Sequence, residues 1–298
     1  MLPNYDRLCK WLVIFMNHFK LCIFCKINVN RQSQQTTVSQ EKMKLNFREY
    51  AQGETNIIIL HGLLGSARNW HSIASNIAGR ILIPDMRNHG DSPHSMQHDT
   101  ADMVLDIIEL QESMRARPAI IIGHSMGGLV AMQLALTHPE NVKGLIVIDI
   151  APGSIPSKTV AAVLSAMRGL KLQEFTSKQE IDMALSATIQ ERGIRQFVMT
   201  NLRRHEGDFQ WRVNLEALCG YFEKSRKRQV LETADYGGHS LFIRGGRSNY
   251  VRDADFDRIQ KHFPGADLLT VEGAGHWVHA DAPTEIIKAV NDFIQEPG

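Results

Sequence analysis

The sequence predicts an α/β fold: a mostly parallel central sheet flanked by helices, with a helical cap inserted late in the chain. Three observations predict it. From residue 43 onward, short β-rich runs alternate with longer stretches of helical periodicity, the order of successive βαβ units. Most of the β-rich runs are continuously apolar, as strands covered on both faces of a parallel sheet must be. Between Ala151 and Gly238 the alternation stops, no convincing strand is found, and several short helical patterns follow one another.

In chain order, the strands are expected over 44–50, where apolar residues alternate with polar ones, and over 57–61, 80–84, 119–123, 144–150, 240–244 and 267–271. Helical spacing of apolar residues predicts helices over 67–78, 99–115, 126–137, 253–262 and 284–295. The interrupted interval reads as helices over 158–170, 177–191, 193–202 and 212–224. Residues 43–153 and 236–298 are thus expected to form the α/β core, and 154–235 a cap lying over the carboxyl ends of the strands, where open α/β sheets bind ligands.

Residues 1–42 read as a separate, presequence-like leader. Six of the 33 Lys and Arg and only two of the 32 Asp and Glu fall there, leaving the body with 27 basic against 30 acidic residues. A basic, acid-poor, amphipathic leader ending in a Ser/Gln/Thr-rich run is the pattern of a mitochondrial address, so the expected location is the mitochondrion, with the matrix favoured. Lys10, His18 and Lys20 break the apolar stretch below the ~18–20 residues of a spanning helix, and no integral membrane span is expected. Cys22 and Cys25 have CxxC spacing with no second pair at zinc-ligand distance, which reads as coincidence. A near-neutral total charge without a basic stretch in the body argues against nucleic-acid binding.

Chemistry is expected first at Gly123-His124-Ser125-Met126-Gly127, where a buried strand runs straight into a helix. That context makes G-x-S-x-G a nucleophile turn: Ser125 is lifted above the sheet on a strained backbone, and glycines two before and two after let strand and helix approach. A helix starting just beyond Ser125 aims free amides and its positive end at the same point. The strand over 57–61 ends in His61-Gly62-Leu63-Leu64-Gly65, so the Leu63 and Met126 amides are the expected oxyanion hole. His61 reads as a structural hydrogen-bonding histidine.

The base is expected at His276, on the Gly-rich loop after the last strand; His279 reads as structural. For the acid, Asp149 at the carboxyl end of the strand after the nucleophile's own is preferred, because that end lies next to Ser125. Asp253 and Asp255, which look like first-turn helix acids, and the cap residue Glu216 stay open as alternatives.

With HGLLGS (61–66), DMRNHGDSP (85–93), GHSMGG (123–128), VIDIAP (147–152), WRVNLEAL (211–218) and GAGHWVHAD (273–281) in this order, the chain resembles the α/β-hydrolase fold superfamily. More narrowly, it resembles the esterase branch shared by animal mitochondria and bacteria. The resemblance implies hydrolysis of acyl esters, with lipid esters such as diacylglycerol or acyl thioesters as substrates, and it places the triad acid of the bacterial members at Asp149. The implied serine mechanism needs no cofactor and no metal, and neither GxxxxGK[ST] nor HExxH occurs. Asp85 and Arg87 read as a buried ion-pair and turn network beside the oxyanion loop rather than a substrate clamp.

In the cap, Met167, Phe175, Met183, Phe197, Met199, Trp211, Tyr221 and Phe222 are candidates for an acyl pocket, with cap core as the plainer reading. Arg203, Arg204 and Arg212 are candidates to meet a phosphate-bearing substrate, with solvated surface as the plainer reading. Two other functions remain open: hydrolysis of carbon–carbon or amide bonds on the same fold, and a ligand- or partner-binding protein that keeps the triad.

Overall fold

In the computed structural model, residues 43–154, 157–225 and 234–296 are described. The expected leader and the Cys22–Cys25 spacing lie outside them. Seven strands form the main sheet: β1 (Phe47–Ala51), β2 (Asn56–Leu60), β3 (Arg80–Pro84), β4 (Ala119–His124), β5 (Val142–Ile148), β8 (Ser240–Gly245) and β9 (Ala266–Val271), in the order β1-β3-β2-β4-β5-β8-β9. Only β1 is antiparallel to its neighbour; every other pairing is parallel. The mostly parallel sheet read from the sequence is therefore the one that forms.

The apolar runs split their side chains between two cores by strand alternation. Ile58 and Leu60 of β2 face one, with Ile121 of β4 and the helices α2 (Thr100–Met114) and α3 (Met126–Thr137). Ile57 and Ile59 face the other, with Ile122, Trp70, Ile73 of the short α1 (His71–Ala74), and Val290 and Phe293 of the last helix, α9 (Pro283–Gln295). Burying one such aliphatic side chain contributes about 1.5–3 kcal/mol. Exposed pairs such as Lys288–Asp292 add little beside that, so apolar burial positions the sheet.

Several expected elements are shorter. The helix expected over 67–78 is a 3-10 turn, Ala67–Trp70, followed by α1, and the Ser75 and Asn76 side chains bond back to the His71 and Ser72 carbonyls where it stops. The helix expected over 253–262 is likewise a 3-10 turn, Asp253–Asp255, before α8 (Phe256–His262).

The interval between β5 and β8 departs from the all-helical expectation. It contains α4 (Lys158–Gly169), α5 (Lys178–Ser186), α6 (Arg192–Met199) and α7 (Leu215–Ser225), but also a hairpin of β6 (Leu202–His205) and β7 (Asp208–Trp211). Glu206 and Gly207, both at positive φ (52° and 96°), make the two-residue turn, whose twist suits a hairpin. The charged residues of β6 are exposed, so its sequence carries no apolar alternation to announce it. Helix α7 begins only at Leu215, because the Asn214 amide bonds the Asn88 carbonyl and its side chain caps Ala217. This segment has its own core, including Val163, Met167, Ile181, Val198, Phe209 and Leu218.

The loop after β3 locks the front of the sheet. Arg87 is buried and forms a two-pronged pair with Asp106 of α2 (Nε–Oδ2 2.6 Å, Nη2–Oδ1 2.8 Å). Asp85 is not its partner; it accepts instead from the Ala67 and Asp91 amides and the Asn46 side chain. The ion-pair and turn reading holds, with Asp106 supplying the acid. Burial pushes the Asp106 carboxyl up, so it depends on Arg87 to remain charged. Arg87→Met leaves that carboxylate buried and unpaired and is expected to cost about 3–5 kcal/mol, read as a lower urea midpoint with an unchanged slope.

Candidate active site

Five loops at the carboxyl ends of β2, β4, β5, β8 and β9 converge on one point. Strand order reverses between β2 and β4, the place where an open α/β sheet leaves a crevice. Ser125 follows β4 with φ 52° and ψ −115°, a conformation that an L-residue adopts only when its surroundings impose it. They impose it through backbone proximity. A Cβ on Gly123 would lie 2.3 Å from the Gly127 carbonyl oxygen, and one on Gly127 would lie 2.3 Å from that of Leu60. The Ser125 amide is tied to the Ile148 carbonyl (3.0 Å), which leaves the side chain no route but upward.

Above it, the Ser125 hydroxyl donates to His276 Nε2 (3.0 Å) and His276 Nδ1–H donates to Asp149 Oδ2 (2.7 Å). Asp149 is fully buried, at positive φ (51°), just beyond the end of β5. Its carboxylate also accepts from the Gly245 amide (3.0 Å) and the Ser248 hydroxyl. Three donors satisfy a buried anion and fix which edge of the imidazole faces it. Of the alternative acids, Asp253 is 92% exposed and paired with Arg244, Asp255 is held by Arg252 and Arg258, and Glu216 is exposed on α7. None of them bonds His276.

Sequence reasoning missed three residues here. Ser248 donates to Asp149 and accepts from the Tyr250 amide (3.2 Å). Tyr250 stacks on the His276 ring (centroids 3.8 Å apart, 16° between planes), with its hydroxyl on Ser157. His124 donates from Nε2 to the His276 carbonyl (2.9 Å), holding the base's backbone from below. A run RSNY after β8 offers no carboxylate, and that absence drew attention away from its hydroxyls.

The loop after β2 lies against the serine: a Cβ on Gly62 would lie 3.3 Å from the Ser125 Cβ. His61, as expected, is a linker, accepting from the Met86 amide (2.9 Å) at Nε2 and donating from Nδ1 to the Gly62 carbonyl (2.8 Å). The Leu63 amide, within this loop, and the Met126 amide, at the start of α3, close no hydrogen bond among the described residues. A cavity of about 510 Å³ opens over Ser125 and His276, walled by Leu63, Leu64, Val160, Val163, Ile194 and Phe197.

Of the aromatic and Met candidates in the cap segment, Phe197 lines this cavity, whereas Met167 is in the segment's own core and Met183 is exposed. Arg203, Arg204 and Arg212 do not line it. Arg204 lies over the Phe209 ring (4.3 Å) and Arg212 pairs with Asp91 (2.6 Å), while Arg247 is the arginine at the cavity wall. No cluster suited to a metal ion is found among the described residues, and no helix there is long and apolar enough to cross a membrane.

A serine–imidazole–carboxylate line, its carboxylate buried and its serine and imidazole half-buried at the wall of a mainly apolar cavity, is an arrangement suited to acyl transfer, and the fold that carries it is that of known hydrolases. Residues 55–283 match the family model described as the alpha/beta hydrolase fold, and the chain belongs to that family. Its relatives there are named esterases and lipases, and it is an ester hydrolase of that family. It is 39% identical over 247 residues to the mouse sn-1-specific diacylglycerol lipase ABHD11, covering 80% of each chain. It is 30% identical to esterase YbfF of Escherichia coli over 260 residues, covering 85% of this chain and 100% of the relative. Among solved structures, a marine microorganism esterase superposes with a TM-score of 0.80 at 35% identity, covering 84% of this chain and 99% of that one.

The histidines beneath the site are neutral. Burial, helped by repulsion from His276, pushes His279 down to about 4, and burial together with His279 and His276 pushes His124 well below its ordinary value. His279 stacks on Trp70 (centroids 4.5 Å) with Nδ1 unpartnered. A histidine whose value is lowered on folding stabilises fully above about 6.5 and loses that contribution as pH falls toward its folded value. Wild type is therefore expected to lose about 2 kcal/mol more than His279→Leu between pH 7 and pH 5, measured by urea unfolding.

Proposed function

We propose that the protein is a serine esterase that hydrolyses acyl esters through an acyl-enzyme on Ser125, with lipid esters of the diacylglycerol class as the favoured substrates and acyl thioesters next. The observation that carries this reading is the continuous line from Asp149 through His276 to Ser125 (2.7 and 3.0 Å), opening into an apolar cavity. The names of the lipase and esterase relatives support the substrate class. In this reading residues 154–235 are the cap that selects the acyl chain, and residues 1–42 are a mitochondrial presequence, supported by their charge and composition.

His276 Nε2 takes the Ser125 proton as the serine oxygen attacks the ester carbonyl, and Asp149 stabilises the imidazolium through Nδ1–H. Negative charge develops on the former carbonyl oxygen, where the Leu63 and Met126 amides donate to it and the positive end of α3 adds its field. Collapse of this intermediate expels the alcohol, which takes the proton from His276. Water then gives a proton to His276 Nε2 as its oxygen attacks the acyl carbon; the second intermediate breaks to free acid and Ser125, whose oxygen recovers the proton. Every proton moves through His276, and the only co-reactant is water.

Activity-based labelling with a fluorophosphonate is expected on the wild type and not on Ser125→Ala, and an unlabelled wild type would sink the reading. Hydrolysis of esters, thioesters and amides over a series of acyl lengths tests the substrate class, with esters expected to be cleaved fastest. Asp149→Asn is expected to lower kcat by about 10³–10⁴-fold, because His276 loses the acceptor that fixes its tautomer, while Asp253→Asn stays within about twofold of wild type.

A further inference from the structure

We propose that Asn201, in the cap segment, is a positioning residue for the oxyanion hole. The inference rests on the esterase reading above. Asn201 is 4% exposed and sits between the end of α6 and the start of β6. Its side-chain Nδ2 donates to the Leu64 carbonyl (2.9 Å), 137 residues away in the chain. Its own backbone is already fixed, since its amide bonds the Val198 carbonyl (3.0 Å) and its carbonyl accepts from the Arg212 amide (2.7 Å). The donor is therefore held in place before it meets the loop.

Two peptide planes carry this contact to the chemistry. The Leu64 carbonyl shares a rigid plane with the Gly65 N–H, and in a trans peptide the two point in opposite directions. Gly65 N–H donates to the Gly62 carbonyl (2.9 Å). That carbonyl shares the next plane with the Leu63 N–H, the proposed oxyanion donor. Turning the Leu64–Gly65 plane thus turns the Gly62–Leu63 plane. The amide of Leu64 is held from the core side by His89 Nε2 (3.1 Å), whose Nδ1–H is committed to the Arg87 carbonyl (2.9 Å).

Leu64 keeps φ at 61° under this two-sided grip, a left-handed conformation that a Leu side chain opposes. Remove the grip from the cap side and the loop has a local reason to relax. The Leu64 side chain also belongs to the cap-segment core and lines the cavity, so one residue meets cap, acyl pocket and oxyanion loop. A donor displaced by a fraction of an ångström serves a transition state poorly while leaving substrate binding nearly intact.

Asn201→Asp is the isosteric test, because it replaces the N–H by a second acceptor facing the Leu64 carbonyl; Asn201→Ala removes the donor without adding charge and serves if the first fails to fold. With p-nitrophenyl butyrate, both are expected to lower kcat about 10–100-fold with KM within about threefold of wild type. Affinity for an aryl trifluoromethyl ketone, whose serine adduct carries the oxyanion, is expected to fall by the same factor as kcat/KM. If kcat per folded molecule stays within about twofold, or KM rises while kcat does not change, Asn201 acts only in cap packing and the proposal is overturned. Absence of turnover and of fluorophosphonate labelling in the wild type would instead overturn the esterase reading, and this one with it.

Discussion

The constraint on which the rest depends is the close approach of β4 and α3 at Ser125. A left-handed serine backbone does not persist unless strand and helix hold both its flanks, and they reach it only because Gly123 and Gly127 have no side chain to keep the backbones apart. The same approach places Gly127 against the Leu60 carbonyl, so the turn is packed on the end of β2, from which the loop carrying Leu63 and Leu64 departs. Ser125 and the loop after β2 are thereby parts of one packing contact. Asp149 also has a positive φ at the end of the next strand, where its amide bonds the Ile243 carbonyl and its carboxylate accepts from His276.

Buried histidines transmit this geometry outward. Each neutral imidazole offers one donor and one acceptor on a rigid ring, and His61 and His89 use both to tie the loop after β2 to the loop after β3. Burial pushes both below their ordinary values, and the bonding requires it, because a protonated ring would turn a second donor toward an amide that needs an acceptor. His124 plays the corresponding part under His276. Trp70, stacked on His279, and His124, edge-on to His279, fill the space beneath His276 with low-charge rings.

The two motifs DMRNHGDSP and WRVNLEAL, far apart in the chain, meet as the seam between core and inserted segment. Arg212 pairs with Asp91, the His94 ring bonds the Arg212 carbonyl, and Asn214 bonds the Asn88 backbone and side chain. Since the same core loop holds Ala67 and Leu64 through Asp85 and His89, the inserted segment is docked on the element that shapes the loop after β2. The inserted segment, which supplies Val160, Val163, Ile194 and Phe197 to the cavity wall, and the loop after β2 are in this way mechanically joined.

Much was legible in the residues themselves. Continuous apolar runs of four to seven residues alternating with longer helical patterns fit strands covered on both faces, and 44–50 alternates with period two, so the mostly parallel sheet, its seven strands and the inserted interval could be read from run length and periodicity. The strained turn at Ser125 was legible because glycines flank it at a strand–helix junction, and the place of His276 beside it because a Gly-rich loop follows the last strand. What periodicity does not encode is which side chains meet across long stretches of chain. The partner of Arg87, the hydroxyl of Ser248 on Asp149, the ring of Tyr250 on His276 and the grip of Asn201 on Leu64 join residues 19 to 137 positions apart. The hairpin of the inserted segment stayed hidden because its first strand is charged and exposed, and its turn depends on two left-handed residues rather than on an apolar pattern. Local sequence determines backbone preference and which face is buried; only packing in three dimensions decides which buried polar groups satisfy one another, because that depends on distances no single element controls.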